Sequence, residues 1–453
     1  MKVSKINTNL IYKHNNRFEG KHYLNNSSYL SLQLEKNEDR CCALASLANV
    51  FNPPVFKRQF CKNTNRSVQY FQSSDVPSAA EKSTTYIYRG QAETLNLLVK
   101  ENDILVTGFG TIGNTRLVSK NQDGVCYANN VCRIRAIDHN GFLYAFISGK
   151  YGKAQLNTNA SGSVVRYIEA SGIKKTLVPS FPVTFQQEVD GLIQESARLR
   201  EEAADALEKA KNAIITFCDN DFKDVACSQI SNVNIASVIR SYKTRLDPPV
   251  FINKGVKWSK RLTNTSRLGD LNVRMWYPGI FKRAYVKGGL PYIKGSSVFD
   301  VNPFKTCAHL SKARTPQLDE LWLKEGMLLV SCAGACGLVK IITKEYEDKK
   351  AIGSPDIIRL VSNDLLCTTE YLYVYLQIPA VYDFMQSLKY GSVIERFDIG
   401  NLENVPIVLP TKEISQEVTQ LVRKYMDCTY RAFNAEEKAI RMVEQEIEKW
   451  NRH

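Results

Sequence analysis

Histidine is nearly missing from this chain: five occur in 453 residues (His14, His22, His139, His309 and His453), and none stands in an HExxH arrangement or beside a cysteine pair at zinc spacing. Metal and nucleophile chemistry therefore have little to work with. No Walker A sequence is present for a motor, and no carboxylate cluster stands out for a nuclease metal. No apolar run is long enough to span a bilayer, and the opening MKVSKINTNLIYKHNNRFEG lacks the apolar core of a signal peptide. The expectation is a cytoplasmic protein with no membrane partner, its 12 cysteines mostly reduced. It is expected to have no catalytic residues, no metal site and no cofactor of its own.

What is present is positive charge and a duplication. Sixty Lys and Arg against 46 Asp and Glu give a formal charge of +14, which favours a polyanionic partner. The phrase ENDILVTGFGTIGNTRLV at Glu101–Val118 returns as EGMLLVSCAGACGLVKII at Glu325–Ile342. Phe56-Lys57-Arg58 returns as Phe281-Lys282-Arg283, Tyr70–Val76 as Tyr292–Val298, Gly162-Ser163-Val164 as Gly391-Ser392-Val393, and Glu208-Lys209-Ala210 as Glu437-Lys438-Ala439. Segment order is kept while loops change length.

The first module runs from about Ala43 to Pro182 and the second from about Phe222 to Pro410. Their short apolar segments, punctuated by Gly, Asn, Asp and Ser, read as strands and turns with a few helices, so both modules are expected to be mixed α/β. After each comes a breaker-poor helical stretch. One carries Val189, Ile193, Ala203, Leu207, Ala210 and Ile214 on a seam that Ser196 and Arg200 interrupt; the other carries Val418, Val422, Ala432, Ala439 and Met442 on a rougher stripe. At about 1.5 Å per residue each would span roughly 45 to 50 Å. The economical arrangement is a long antiparallel two-helix coiled coil joining two similar mixed α/β domains.

Two motifs invite an enzymatic reading. Gly108-Phe109-Gly110-Thr111-Ile112-Gly113 satisfies GxGxxG, but the next segment, NTRLVS, has a strand's composition, and the repeat, Cys332–Gly337, has lost the first glycine. A tight hairpin accounts for both copies, with Gly113 and Gly337 in the turns. Asn52-Pro53-Pro54-Val55 is similar to the tetrad by which amino-methyltransferases grip a target base, yet its fourth residue is Val and the repeat, Trp276–Ile280, abandons the pattern. A rigid loop before Phe56-Lys57-Arg58 fits better.

With these segments in order, the chain resembles the specificity subunit of Type I restriction-modification systems over nearly its whole length. The marks are LASLANVFNPPVFKRQF, GGLPYIKGSSVF, the strand-turn GTIG followed by a strand at Asn129–Arg135, SGSVVRYIEASGIKKTLVPSFP leading into QQEV, and YGSVIERFDIGNLENVPIVLP leading into SQEV. The resemblance implies two target-recognition domains, 1–182 and 219–410, with a central spacer helix at 183–218 and a C-terminal spacer helix at 411–453 packed on it. It implies a non-catalytic subunit that recognises an asymmetric, bipartite sequence in double-stranded DNA and directs adenine methylation and restriction by its partners. Those partners would be two methyltransferase subunits, docked on the outer side of the spacer, and restriction/translocase subunits; S-adenosylmethionine, ATP and Mg would belong to them. A methylation-only system and a standalone duplicated DNA-binding protein are the alternatives.

Within that reading, Lys57, Arg58, Lys282 and Arg283 recur in register and are candidate phosphate or framework residues. Lys153, Arg166, Lys174 and Lys175 add cations in the closing half of the first module, and Lys389 and Arg396 in the second, where Glu395 and Glu403 oppose them. The Gly162-Ser163 and Gly391-Ser392 turns are candidates for offering backbone N–H groups to phosphate. Base-reading residues are expected where the copies differ, at 72–91 and 294–319, including Ser73, Asp75, Arg89, Lys294, Lys305, Lys312 and Arg314.

Overall fold

The repeated apolar phrases fold into the same sheet twice. The computed structural model describes residues 8–13, 18, 20–23, 25–162, 165–218, 232–240 and 243–450. His14, Ser163, Val164, Phe222 and His453 lie outside the described residues. The chain divides into a first unit, Met1–Glu201 with Arg431–His453, and a second, Glu202–Tyr430.

The first unit holds β1 (Cys41–Ala43), β2 (Ala48–Phe51), β3 (Phe60–Cys61), β4 (Ser67–Phe71), β5 (Tyr86–Tyr88), β6 (Ile104–Thr107), β7 (Thr115–Leu117), β8 (Cys126–Tyr127), β9 (Val131–Ala136) and β10 (Leu177–Pro179). A four-stranded sheet has the order β2-β9-β6-β7, a second has β3-β5-β4-β8, and β1 pairs with β10. The second unit holds β11 (Thr265–Arg267), β12 (Val273–Trp276), β13 (Tyr285–Ile293), β14 (Ala308–Leu310), β15 (Leu328–Ser331), β16 (Val339–Ile341), β17 (Ile352–Gly353), β18 (Ile357–Ser362) and β19 (Pro406–Val408). Its main sheet, β12-β18-β15-β16, matches the first strand for strand, and β11 pairs with β19 as β1 does with β10. The remaining sheet is β14-β13-β17, where the first unit has four strands. The copies therefore share a framework and part company in one sheet.

Period-two alternation explains why the central strand reads as a continuous apolar run. Ile104 and Val106 face one hydrophobic cluster while Leu105 faces another. Leu328 and Val330 are separated from Leu329 in the same way. Helices Asn140–Ser148 and Lys150–Thr158 come next in the first unit, and Thr369–Tyr375 and Pro379–Leu388 in the second, where Pro379 opens its helix from the first-turn position.

Two long helices, Val183–Cys218 and Lys412–Lys449, link the units. They contain 36 and 38 residues, about 54 and 57 Å of helix at 1.5 Å per residue, longer than the stripes alone suggested. Within the first unit Val189 and Ile193 share a core with Ala439, Ile440, Val443 and Ile447. Within the second, Ala210, Ile214 and Cys218 share one with Val418, Val422 and Met426. The early part of one helix thus meets the late part of the other. Ala203 and Ala432 are buried as well, whereas Leu207 and Met442 are half-buried, the deeper place beside Met442 going to Val443. Ser196 and Arg200 do not simply break the seam: Ser196 Oγ donates to Ala432 O at 2.7 Å, and Arg200 Nη2 donates to Glu436 Oε2 at 2.5 Å.

One arginine in each unit is wholly buried at the equivalent strand position. Arg133 on β9 donates to the carbonyls of Ala128 (3.0 Å), Leu97 (3.0 Å), Tyr127 (2.7 Å) and Val131. Arg359 on β18 donates to those of Ser354 (3.2 Å), Ile357 (2.7 Å) and Gly353 (3.0 Å). Each guanidinium sews the short parallel strand, β8 or β17, to the main sheet.

A second equivalent pair, Arg116 and Lys340, is also buried. Burial pushes the carboxyl of Asp300 up to about 6, against the opposing pull of Lys340. The folded chain therefore holds this proton more tightly than the unfolded chain, and Asp300 stabilises best below about pH 4, losing that contribution as pH rises through about 6. Asp300→Asn is expected to raise second-unit stability by ~2 kcal/mol at pH 8 and to change it little at pH 4. Thermal unfolding at the two pH values checks this; an equal effect at both would place the cause elsewhere.

Candidate nucleic-acid interface

Three of the loops that carry or flank interface candidates are tied down in matching ways in both units, while Arg89, Lys153 and Lys174 stand on short helices. GTIG is a hairpin between β6 and β7, and its counterpart joins β15 to β16. Thr107 Oγ1 donates to Thr111 O at 2.5 Å and accepts from Asn114 N at 3.0 Å. Ser331 Oγ repeats this with Ala335 O at 2.5 Å and Leu338 N at 2.9 Å. Gly113 and Gly337 carry φ of +80° and +81°. Each turn runs straight into a strand, β7 or β16, so neither loop opens the helix whose N-terminus a dinucleotide phosphate requires.

The closing loops are a second matched pair. Ser161 and Tyr167 exchange backbone hydrogen bonds of 2.8 and 2.9 Å, and Tyr390 and Arg396 exchange bonds of 3.0 and 2.7 Å. Gly162 and Gly391 turn the chain at φ +89° and +101°, where an added Cβ would come within 2.2 Å of Val165 O and 2.5 Å of Ile394 O. Only glycine fits there. Phe109 of the neighbouring hairpin stacks on Tyr167 at 5.6 Å, and the equivalent places hold Ala333 and Arg396.

Asn52 uses its amide structurally. Its Oδ1 accepts from Ala170 N at 2.8 Å and its Nδ2 donates to Asn129 O at 3.3 Å, pinning the Pro53-Pro54 loop to the sheet end. Phe56 and Phe281 pack into the apolar clusters behind their loops. Arg58 lies over the ring of buried Tyr70 at 5.8 Å and Arg283 over that of Tyr292 at 5.6 Å. Arg283 Nε also donates to Tyr292 Oη at 2.8 Å, and its Nη2 is 3.8 Å from Asp356. Lys57 and Lys282 are exposed. In Phe-Lys-Arg both cations are exposed, and the arginine also lies over a buried tyrosine ring of its own domain. The tyrosines are inside the repeated phrases, but nothing local in the sequence couples them to arginines nine and twelve residues earlier.

The remaining candidates scatter by role. Asn130 Nδ2 donates to Ser73 Oγ at 3.2 Å, and Asp75 accepts from Gln72 N at 2.7 Å, capping its own turn. Arg89 is exposed, 3.9 Å from Glu93. Arg166 donates to Asn157 O, and Lys153 is half-buried under the Gly113 turn. Lys174, Lys175, Lys294, Lys312, Arg314 and Arg396 are exposed, and Lys305 is half-buried. Lys389 pairs with Glu395 at 2.5 Å, so its charge is answered within the chain. Among the described residues, no three His, Cys, Asp or Glu side chains gather as a metal site, and no helix is long and apolar enough to cross a membrane.

Residues 267–440 match the family model for the Type I restriction modification DNA specificity domain. No curated protein matches the chain. Similar solved structures include the S subunit of a Type-I restriction-modification system from M. genitalium, at 12% identity over 90% of this chain and 95% of that one, with a TM-score of 0.35. They also include the HsdS subunit from Thermoanaerobacter tengcongensis, at 16% identity over 90% and 95%, with a TM-score of 0.27. Residues 267–440 thus match the Type I restriction modification DNA specificity domain, and the chain builds the main sheet of that region twice.

Proposed function

We propose that this chain selects an asymmetric two-part sequence in double-stranded DNA, residues 1–182 reading one half and 219–410 the other. The helices at 183–218 and 411–453 act as spacers. The observation that carries this is the combination of a common framework with one unlike sheet, β3-β5-β4-β8 against β14-β13-β17. A shared scaffold with different outward surfaces suits two half-sites with different donor and acceptor patterns. The helices also offer a surface for two methyltransferase subunits, which bring S-adenosylmethionine and methylate adenine where this chain directs them. A restriction/translocase subunit using ATP and Mg completes the complex, in the cytoplasm. Phosphate contacts are assigned to Lys57, Lys174, Lys175 and Lys282, and base reading to the divergent stretches 72–91 and 294–319.

The test is a map of modified bases across the host genome with and without the gene. Loss of adenine methylation at one sequence with a fixed internal gap is expected. Unchanged methylation, with the protein expressed and its methyltransferase partner intact, overturns the reading.

A further inference from the structure

The loops that carry Phe-Lys-Arg repeat a feature that ordinary surface economy does not explain. Val55 is 88% exposed and Ile280 is 89% exposed, at equivalent positions directly before Phe56 and Phe281. Each aliphatic tip is held rather than loose. Pro53 and Pro278 are buried before it, a phenylalanine is anchored behind it, and an arginine stacked on a buried tyrosine comes two residues after that phenylalanine. A stiff loop that twice presents a β-branched side chain to water is built for contact.

Charge identifies the occupant. No Asp or Glu occurs between Asp39 and Asp75, where Lys57, Arg58, Lys62 and Arg66 lie. None occurs between Asp270 and Asp300, where Arg274, Lys282, Arg283, Lys287 and Lys294 lie. Lys62, Arg66, Arg274 and Lys287 are exposed like Lys57 and Lys282. Two acid-free, cation-bearing chain segments at equivalent places complement a polyanion, with Asp356, 3.8 Å from Arg283, answering part of the charge in the second unit.

We propose that Val55 and Ile280 are sequence-independent DNA contacts, each packing its methyl groups against the sugars of the duplex while the neighbouring Lys57 or Lys282 neutralises a phosphate. Arg58 and Arg283 are positioning residues that hold the loop through Tyr70 and Tyr292. Sequence independence comes from the repeat: an element with the same chemistry in both units cannot distinguish two unlike half-sites. The proposal rests on the chain reading two half-sites.

The test uses the full-length chain copurified with its methyltransferase partner. Binding is measured over a range of salt concentrations, both to a duplex carrying the mapped two-part sequence and to a scrambled duplex. Val55→Thr with Ile280→Thr keeps β-branching while removing apolar surface and is expected to weaken both duplexes by about tenfold, leaving their ratio and the salt slope unchanged. Lys57→Gln with Lys282→Gln is expected to reduce the log–log salt slope by about two. The proposal is overturned if the threonine variant binds both duplexes like the wild type, if it loses only the specific duplex, or if it loses the methyltransferase instead. A wild-type complex that does not discriminate between the duplexes removes the two-half-site reading itself, and with it the argument for sequence independence.

Discussion

Arg133→Met is expected to destabilise the first unit by about 3–5 kcal/mol, and Arg359→Met to do the same to the second. Methionine approximates the arginine stem but donates no hydrogen bond. Without Arg133 the carbonyls of Leu97, Tyr127, Ala128 and Val131 lose a donor in a site with no solvent exposure. Each buried orphan costs roughly 1–3 kcal/mol, partly offset because a desolvated cation is removed. That desolvation is visible in both guanidinium groups, which burial pulls down to about 10, still charged at neutral pH. Lysine should recover only part of the loss, since one ammonium cannot reach carbonyls spread over three chain segments. Urea unfolding is the measurement, with each variant expected to bring forward the transition of its own unit. A shift below about 0.5 kcal/mol would mean that backbone relaxation or water replaces the guanidinium.

Glu436→Ala is expected to destabilise the first unit by about 3–5 kcal/mol. Glu436 is 1% exposed, and it accepts from Arg200 Nη2 at 2.5 Å and from Tyr144 Oη at 3.0 Å. Truncation leaves a largely enclosed arginine without its counter-charge. Replacing both partners, Arg200→Met with Glu436→Leu, is expected to restore stability to within ~2 kcal/mol of wild type, because an apolar pair of similar volume avoids the desolvation cost while the Tyr144 hydroxyl still loses its Glu436 acceptor. A double-mutant cycle by chemical unfolding checks both statements, and additive single and double effects would show that the two side chains act independently. The cluster also has a specifying role. With Ser196 bonded to Ala432 O, a slip of either helix would strand several buried polar groups at once.

The hairpin at Gly108–Gly113 was readable from the chain because its cause is local. An apolar strand, glycines able to take positive φ, and a second strand all lie within about a dozen residues. The long helices were readable because an apolar stripe with few breakers persists over ten turns or so. Ser196 and Arg200, by contrast, look like defects in that stripe, since their partners Ala432 and Glu436 are 236 residues away. Arg133 and Arg116 look like ordinary strand cations, and Arg58 and Arg283 like free ones, for the same reason.

Residue pattern and repetition alone carry the two modules, their mixed α/β character, the paired hairpins and the two helices that come after them. Hydrophobic period and turn chemistry act over a few residues and survive duplication in recognisable form. Which cations face water, which stitch a sheet together and which lock two helices was decided only by tertiary structure. Burial and partner choice are properties of three-dimensional neighbours, and a charged side chain reads the same in sequence whether its field is spent on a distant carbonyl or left for DNA.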